Sequence, residues 1–208
     1  SYENMYLLKP PYNKNNPPTC GNGDVDFDLD DNNITDVVDK MNFGKGFVNF
    51  TGHGSFNIWS DYGILKNPED MPYFTNSEKP SVVLNSNCYT ASFYHSYFTT
   101  TILEDLILRQ TGAVSAFGPG TYMYISQLTL PTEPIYKNFF GYFKERNLGV
   151  LYYSAYANIA SSGNVRLTQG MVALGDPATF FPAPTPSKPQ SLSLSQNCRK
   201  ITLTWSPP

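Results

Sequence analysis

The chain has 208 residues, of which 40% are hydrophobic and 15% aromatic, so it can bury the core of one well-packed domain with some length left over. Only 15% are charged, the net charge is −3 and no run of Lys or Arg exceeds a pair, which argues against a nucleic-acid or anionic-membrane surface. No stretch approaches the roughly 18 to 20 apolar residues of a membrane span, so we expect no transmembrane segment.

The first segment, residues 1–23, is rich in Pro, Asn and Tyr and is predicted to be a loop. It lacks the basic and apolar order of a signal peptide and is typical of the middle of a longer protein. The alternation that follows would place four carboxylates on one face of a strand: Asp24, Asp26, Asp28 and Asp30. Such a cluster suits a structural calcium ion, and a solvated acidic loop is the competing interpretation.

Strands and helices are predicted to alternate between residues 33 and 181. A helix over 33–42 precedes a strand over 46–51, and a second, buried strand over 81–84 precedes a helix over 101–110. A third strand over 113–117 is followed by two helical patterns, from about 132 to 147 and over 149–161. This order predicts an α/β fold with a mainly parallel sheet and helices on both faces.

The composition changes after residue 181. Pro-rich residues 184–190 are predicted to form a stiff linker, and residues 191–195 and 201–205 alternate like two strands, with Trp205 placed to enter a sandwich core. They resemble the opening strands of a fibronectin type III or immunoglobulin-like module, and two strands cannot form a stable sandwich alone. We therefore expect a domain over 1–183, a linker over 184–190 and the truncated start of a module over 191–208, all part of a larger modular protein.

Two residues capable of chemistry follow the first two predicted strands, His53 within Gly-His-Gly and Cys88 after Asn-Ser-Asn. Ligands of such sheets bind beyond the carboxyl ends of the strands, so we expect both residues over one cleft. An imidazole can take the proton of a thiol and return it to a leaving amine. We therefore predict a Cys-His dyad with Cys88 as nucleophile and His53 as general base. The N–H groups of Gly54 and Cys88 are the expected oxyanion hole.

Structural roles compete with these assignments. An isolated cysteine between apolar residues is often a buried small side chain, and Cys20, Cys88 and Cys198 show no disulfide or zinc spacing. His53 could be a satisfied core histidine, although its flanking glycines favour exposure. His95, the only other histidine, is expected to be structural or at the surface and is the alternative base.

Four motifs carry a family resemblance: FVNFTGHGSFNIW (47–59), NSNCYTASF (85–93), GAVSAFG (112–118) and LGDP (174–177). In order and spacing they resemble landmarks of the gingipain-type (C25) cysteine peptidases. The resemblance implies a caspase-like fold, endopeptidase activity on protein or peptide substrates without a required cofactor, and residence outside the cell or on a bacterial outer surface. It also implies an N-terminal subdomain and C-terminal immunoglobulin-like modules of the same polyprotein as partners.

Some family features have no counterpart in the sequence. The acidic residue that orients the family's histidine comes from a region absent here, so no third catalytic residue is named. Gingipains place a tryptophan near the primary specificity pocket, at a position close to Tyr124 or Ile125, and their preference for Arg or Lys does not carry over. We expect Tyr122 and Tyr124, together with Trp59 of the histidine motif, to line the substrate pocket.

Three functions remain open on the sequence alone. The first is a secreted or cell-surface endopeptidase that hydrolyses an acyl-enzyme. The second is a sortase-like transpeptidase of a secretion pathway, which transfers the same acyl group to an amine. The third is a non-catalytic adhesin or scaffold that retains the fold.

Overall fold

The computed structural model describes residues 33–60, 63–94, 100–181, 191–197 and 200–206. The chain divides into two compact units, and Ile34–Ala183 is the larger. The helices are α1 (Asn33–Gly44), α2 (Ile102–Leu108), α3 (Thr132–Phe140), α4 (Leu148–Ser161) and α5 (Val165–Gly170). The strands are β1 (Phe47–Thr51), β2 (Gly54–Ser55), β3 (Ile58–Trp59), β4 (Leu65–Lys66), β5 (Ser81–Ser86), β6 (Ala113–Pro119), β7 (Met171–Leu174), β8 (Ser191–Asn197) and β9 (Lys200–Ser206). In the described part of the chain, every helix is too short or too polar to cross a bilayer.

The main sheet has four strands in the order β1-β5-β6-β7. β5 pairs in parallel with both β1 and β6, and β7 closes the sheet by running antiparallel to β6. The predicted α/β fold with a mainly parallel sheet is therefore confirmed. The direction of β7 was not predicted, because a strand of four residues carries no signal of its partner.

Helices cover both faces of the main sheet, as predicted. All six residues of β5 are buried, and its side chains alternate between two separate cores. Val83 belongs to the core that α1 and α2 complete, whereas Val82 and Leu84 belong to the core under α3 and α4. The period of two along a strand explains why an unbroken apolar run fits this central position.

Helix ends follow local capping chemistry. α2 begins with a capping box, in which Glu104 Oε2 accepts the Thr101 N–H over 2.8 Å and Thr101 Oγ1 accepts the Glu104 N–H over 3.5 Å. α3 ends at Phe140, so the prediction of a helix to residue 147 was too long. The chain leaves the helix at Gly141, and Tyr142 and Phe143, which fit the helical pattern, are 94% and 78% exposed.

The C-terminal hairpin is formed by β8 and β9, which pair antiparallel with Leu192 opposite Trp205 and Leu194 opposite Leu203. The two predicted strands are confirmed. Their assignment to a fibronectin type III or immunoglobulin-like module stays a prediction, and the predicted linker over 184–190 lies outside the described residues.

Candidate active site

The carboxyl-terminal ends of β1 and β5 meet at one edge of the main sheet. The two strands pair in parallel as far as Thr51 and Ser86, and the Gly52 N–H then donates to the Ser86 carbonyl over 3.1 Å. His53 and Cys88 each stand two residues beyond the last paired position. Because paired strands lie about 4.8 Å apart, the two backbones leave the sheet side by side.

The segment after His53 folds back into a small antiparallel sheet with the order β2-β3-β4, which the sequence did not predict. The Ser60 N–H donates to the His53 carbonyl over 2.8 Å, and Gly54 faces Trp59 at the next position. Hydrogen-bonded and non-hydrogen-bonded pairs alternate along an antiparallel ladder. Gly54 therefore occupies a non-hydrogen-bonded pair, and its N–H points away from β3.

Gly54 packs directly against Asn87, the residue before Cys88. A Cβ at Gly54 would lie 2.5 Å from Asn87 Nδ2 and 2.9 Å from its Cγ. Asn87 is 0% exposed, so only a residue without a side chain permits this approach. The neighbours of His53 and Cys88 are thus in contact with each other.

The Cys88 thiol is free and half-buried, and the Met123 backbone contacts its sulfur. The Met123 N–H donates to Cys88 Sγ over 3.4 Å, and the thiol donates to the Met123 carbonyl over 3.7 Å. The His53 side chain is exposed, and no described carboxylate forms an ion pair or hydrogen bond with its ring. The site therefore combines a thiol fixed by backbone groups with an imidazole open to solvent.

Tyr89 fixes the turn that follows Cys88. Its φ is +60°, in the left-handed region that residues other than glycine rarely occupy. Its N–H donates to the Thr121 carbonyl over 3.1 Å, and its ring stacks on that of Phe56 with centroids 5.2 Å apart. These contacts hold a conformation that costs roughly 1–2 kcal/mol. Strained backbone of this kind clusters at functional sites.

A buried hydrogen-bond network underlies the site. The Trp59 indole N–H can only donate, so the Asn85 amide is oriented with its oxygen toward Trp59, at an N···O distance of 3.0 Å. Thr90 Oγ1 donates to Asn87 Oδ1 over 2.7 Å and lies 3.1 Å from the Asn85 amide. The network ties β3 to the end of β5 and to the turn after Cys88.

Trp59 belongs to the core rather than to the surface of a pocket. It is 1% exposed, and its ring stacks on that of Phe50 with centroids 4.9 Å apart and planes 5° apart. A side chain sealed in this way offers no face to a substrate. The predicted pocket role of Trp59 is therefore replaced by a structural one, in which its ring and N–H brace the region beneath the site.

Tyr122 and Tyr124 stand on either side of Met123, which contacts Cys88. They are 37% and 57% exposed, and their rings meet edge to face with centroids 5.4 Å apart. The Tyr122 ring also lies 6.5 Å from the ring of Tyr89. The hydrogen bond with Tyr122, followed by the charge of that phenol and by desolvation, raises the pKa of Tyr124. The two rings thus form an aromatic wall beside the residue that contacts the thiol.

Other predicted site residues lie outside the described part of the chain. They are His95 and the acidic residues Asp24, Asp26, Asp28 and Asp30. The calcium site consequently stays a prediction. Across the described ranges, no group of three or more His, Cys, Asp or Glu side chains is arranged to hold a metal ion.

Comparison with known proteins identifies the class to which this fold and site belong. The sequence profile of peptidase family C25 matches residues 5–181. The chain therefore belongs to peptidase family C25, a family of cysteine peptidases, as the four motifs predicted. A search of curated protein sequences gave no match.

Solved structures of gingipains are similar to the chain. Gingipain R (RgpB), described as an Arg specific cysteine proteinase, is 18% identical with a TM-score of 0.65 over 78% of this chain and 39% of that one. The complex of pro- and mature domains of RgpB from Porphyromonas gingivalis is 19% identical with a TM-score of 0.63, over 79% of this chain and 40% of that one. A third structure, described only as a protease, is 19% identical with a TM-score of 0.58, over 77% and 40%. These matches confirm the predicted caspase-like fold, and the chain spans about two fifths of the lengths of the structures it matches.

Proposed function

We propose that this chain carries the nucleophile and the general base of a cysteine endopeptidase. His53 takes the Cys88 thiol proton as the sulfur attacks the carbonyl carbon of a peptide bond, and it gives that proton to the leaving amine when the C–N bond breaks. A thioester acyl-enzyme remains. His53 then takes a proton from water, the resulting hydroxyl attacks the thioester, the C–S bond breaks and the proton returns to sulfur.

The contact between Gly54 and Asn87 supports this proposal more than any other observation. These two residues adjoin His53 and Cys88, and a Cβ added at Gly54 would stand only 2.5 Å from Asn87 Nδ2, so nothing separates the two strand ends. Groups on rigid strand ends keep their geometry better than groups on long loops. Proton transfer requires the thiol and the imidazole to come within hydrogen-bond reach, and neighbouring backbones at one edge of the sheet supply the starting point for that approach.

The proposed oxyanion hole uses the backbone N–H groups of Gly54 and Cys88. The Gly54 N–H lies outside the β2–β3 ladder because Ser60 bonds to the preceding residue, His53. Backbone donors aimed at the place where negative charge develops are effective because they need no reorganisation during the reaction.

We infer protein or peptide substrates that lie against the wall formed by Tyr122 and Tyr124, with no cofactor required for the chemistry. The rest of the same polyprotein is the proposed partner, since the chain spans only 39% of the gingipain R structure. The low charged fraction of 15%, together with the family, supports a place outside the cell or on a bacterial outer surface.

The proposal is tested in the full-length protein with a thiol-directed peptide probe and a fluorogenic peptide library. We expect the probe to label Cys88, and Cys88→Ala to abolish both labelling and cleavage. His53→Ala should lower kcat/KM by about 10²–10⁴-fold. His95→Ala, which removes the other histidine of these 208 residues, is the matched control and should leave kcat/KM near that of the wild type.

Other outcomes separate the alternative functions. Equal labelling of the wild type and Cys88→Ala would contradict the assigned nucleophile and favour a scaffold. A larger loss in His95→Ala than in His53→Ala would contradict the assigned base. Mass spectrometry of the products with and without an added amine distinguishes hydrolysis, which yields a free carboxylate, from transpeptidation, which yields a new amide.

A further inference from the structure

Arg166, on α5, lies over the aromatic wall of the candidate site. Its guanidinium carbon is 3.4 Å from the centre of the Tyr122 ring and 5.3 Å from that of Tyr124. Its Nη1 donates to the Tyr122 carbonyl over 2.5 Å and to Thr121 Oγ1 over 3.3 Å. The Arg166 guanidinium is therefore held on the wall by stacking on the tyrosine rings and by hydrogen bonds from its edge.

This cation is close to the reacting sulfur along a short chain of contacts. Tyr122 immediately precedes Met123, whose N–H and carbonyl are 3.4 and 3.7 Å from Cys88 Sγ. The ring of Tyr122 also lies 6.5 Å from the ring of Tyr89, the residue after Cys88. A substrate side chain that rests on Tyr122 therefore lies within reach of Arg166.

The charge of Arg166 is not neutralised by any described carboxylate. The ion pairs found among the described residues join Asp105 to Arg109 and Glu133 to Lys137. Both bonds that Arg166 makes to described residues use Nη1, which leaves the Nε and Nη2 donors without a partner there. Arg stays charged in proteins, and its fork of donors matches the two oxygens of a carboxylate.

We propose that Arg166 makes this site select an acidic side chain at the substrate residue before the scissile bond. The inference rests on the proposed peptidase function and adds the substrate class. A half-buried cation that has no carboxylate partner among the described residues attracts a carboxylate through charge-assisted hydrogen bonds and repels a basic side chain. This preference is opposite to that of gingipain R, an Arg specific cysteine proteinase.

The test uses the full-length protein and peptides that differ only at the residue before the scissile bond. Glu is compared with Gln, Asp with Asn, and both pairs with Arg and Lys. We expect kcat/KM for Glu or Asp to exceed that of the matching amide by about tenfold or more, and the basic peptides to be cleaved most slowly. The acid preference should shrink as salt is added.

Arg166→Gln should abolish the difference between acid and amide, and Arg166→Lys should retain part of it, since the charge remains without the planar fork. Arg146→Gln is the matched control. Arg146 likewise stacks on an aromatic ring, Phe139 at 4.1 Å, and donates Nη1 to a backbone carbonyl, but it contacts none of the site residues. This control should keep the wild-type ratio of acid to amide cleavage. If the effect of Arg166→Gln came only from a general loss of packing, Arg146→Gln would change the ratio as well.

Two failures are separable. Cleavage that depends on Cys88 but favours neutral or basic residues, or an acid-to-amide ratio that Arg166→Gln leaves unchanged, would overturn the role of Arg166 and leave the peptidase function standing. Absence of any Cys88-dependent labelling or cleavage would overturn both. The wild-type ratio alone decides the substrate class should the Arg166 variants fail to fold.

Discussion

Substituting Gly54 by alanine should force apart the two strand ends that carry the proposed dyad. The added Cβ would stand 2.5, 2.9 and 3.2 Å from Nδ2, Cγ and Cβ of Asn87. These separations lie well inside the ordinary contact distance of about 3.5–4.0 Å. Asn87 is 0% exposed and its Oδ1 accepts from Thr90, so its side chain has no room to swing away. Relief requires the backbones to separate by about 1 Å.

This shift should lower both the free energy of unfolding and the rate of catalysis. Overpacking of a buried site typically lowers the free energy of unfolding by about 1–3 kcal/mol, which leaves most domains folded. A displacement of about 1 Å between reacting groups costs on the order of 100-fold in rate. We therefore expect Gly54→Ala to lower kcat/KM by about that factor, as measured by peptide hydrolysis, while urea unfolding shows a folded protein.

A second substitution tests the cause. Asn87→Ala removes the amide group and leaves only the 3.2 Å approach to Cβ, so the Gly54→Ala/Asn87→Ala double variant should recover part of the lost activity. Ser55→Ala, one residue along β2, is the control for an alanine in the same strand. Activity of Gly54→Ala within about threefold of the wild type would refute the reasoning, as would a double variant no more active than Gly54→Ala.

Two further predictions concern stability. Burial raises the pKa of Tyr152 from 10.0 to about 12, because the folded protein favours the neutral phenol. The contribution of this neutral phenol to the free energy of unfolding is complete below pH 10 and is lost as the pH rises toward 12. Wild type should thus lose about 2–3 kcal/mol of unfolding free energy relative to Tyr152→Phe across that window, and parallel pH curves would contradict this. Asn76 is 3% exposed and bonds to both the N–H and the carbonyl of Gly112, over 2.7 and 2.8 Å. Asn76→Ala should cost about 2–3 kcal/mol in urea unfolding, and a loss below about 0.5 kcal/mol would show that water replaces the amide.

The parts of the fold that the sequence predicted are those with strong local signals. β1, β5 and β6 are apolar runs bounded by glycine or proline, and α2 and α4 are amphipathic or apolar segments of helical length. The ends of helices carry weaker local signals. α3 stops at Phe140 because Gly141 turns the chain outward, whereas the apolar residues beyond it had suggested a longer helix.

The candidate site was only partly visible in the sequence. Gly-His-Gly and the isolated Cys88 stood out because each follows a strand. The sequence does not indicate the β2-β3-β4 sheet, because its strands have two residues each, too few to show a period. The histidine motif predicts a pocket role for Trp59, but an aromatic side chain fits either a surface or a core, and only its burial in the fold separates the two.

The sequence by itself determined which residues can do chemistry and in what order they occur, because strand periodicity, glycine placement and a family motif are local properties. The tertiary structure alone decided what stands next to them. Met123 against the Cys88 thiol and Arg166 over Tyr122 are contacts between residues 35 and 44 positions apart, and no pattern along the chain encodes such a contact. Close packing of distant segments determines these neighbours, and the chemistry of each side chain then depends on the residues that it touches.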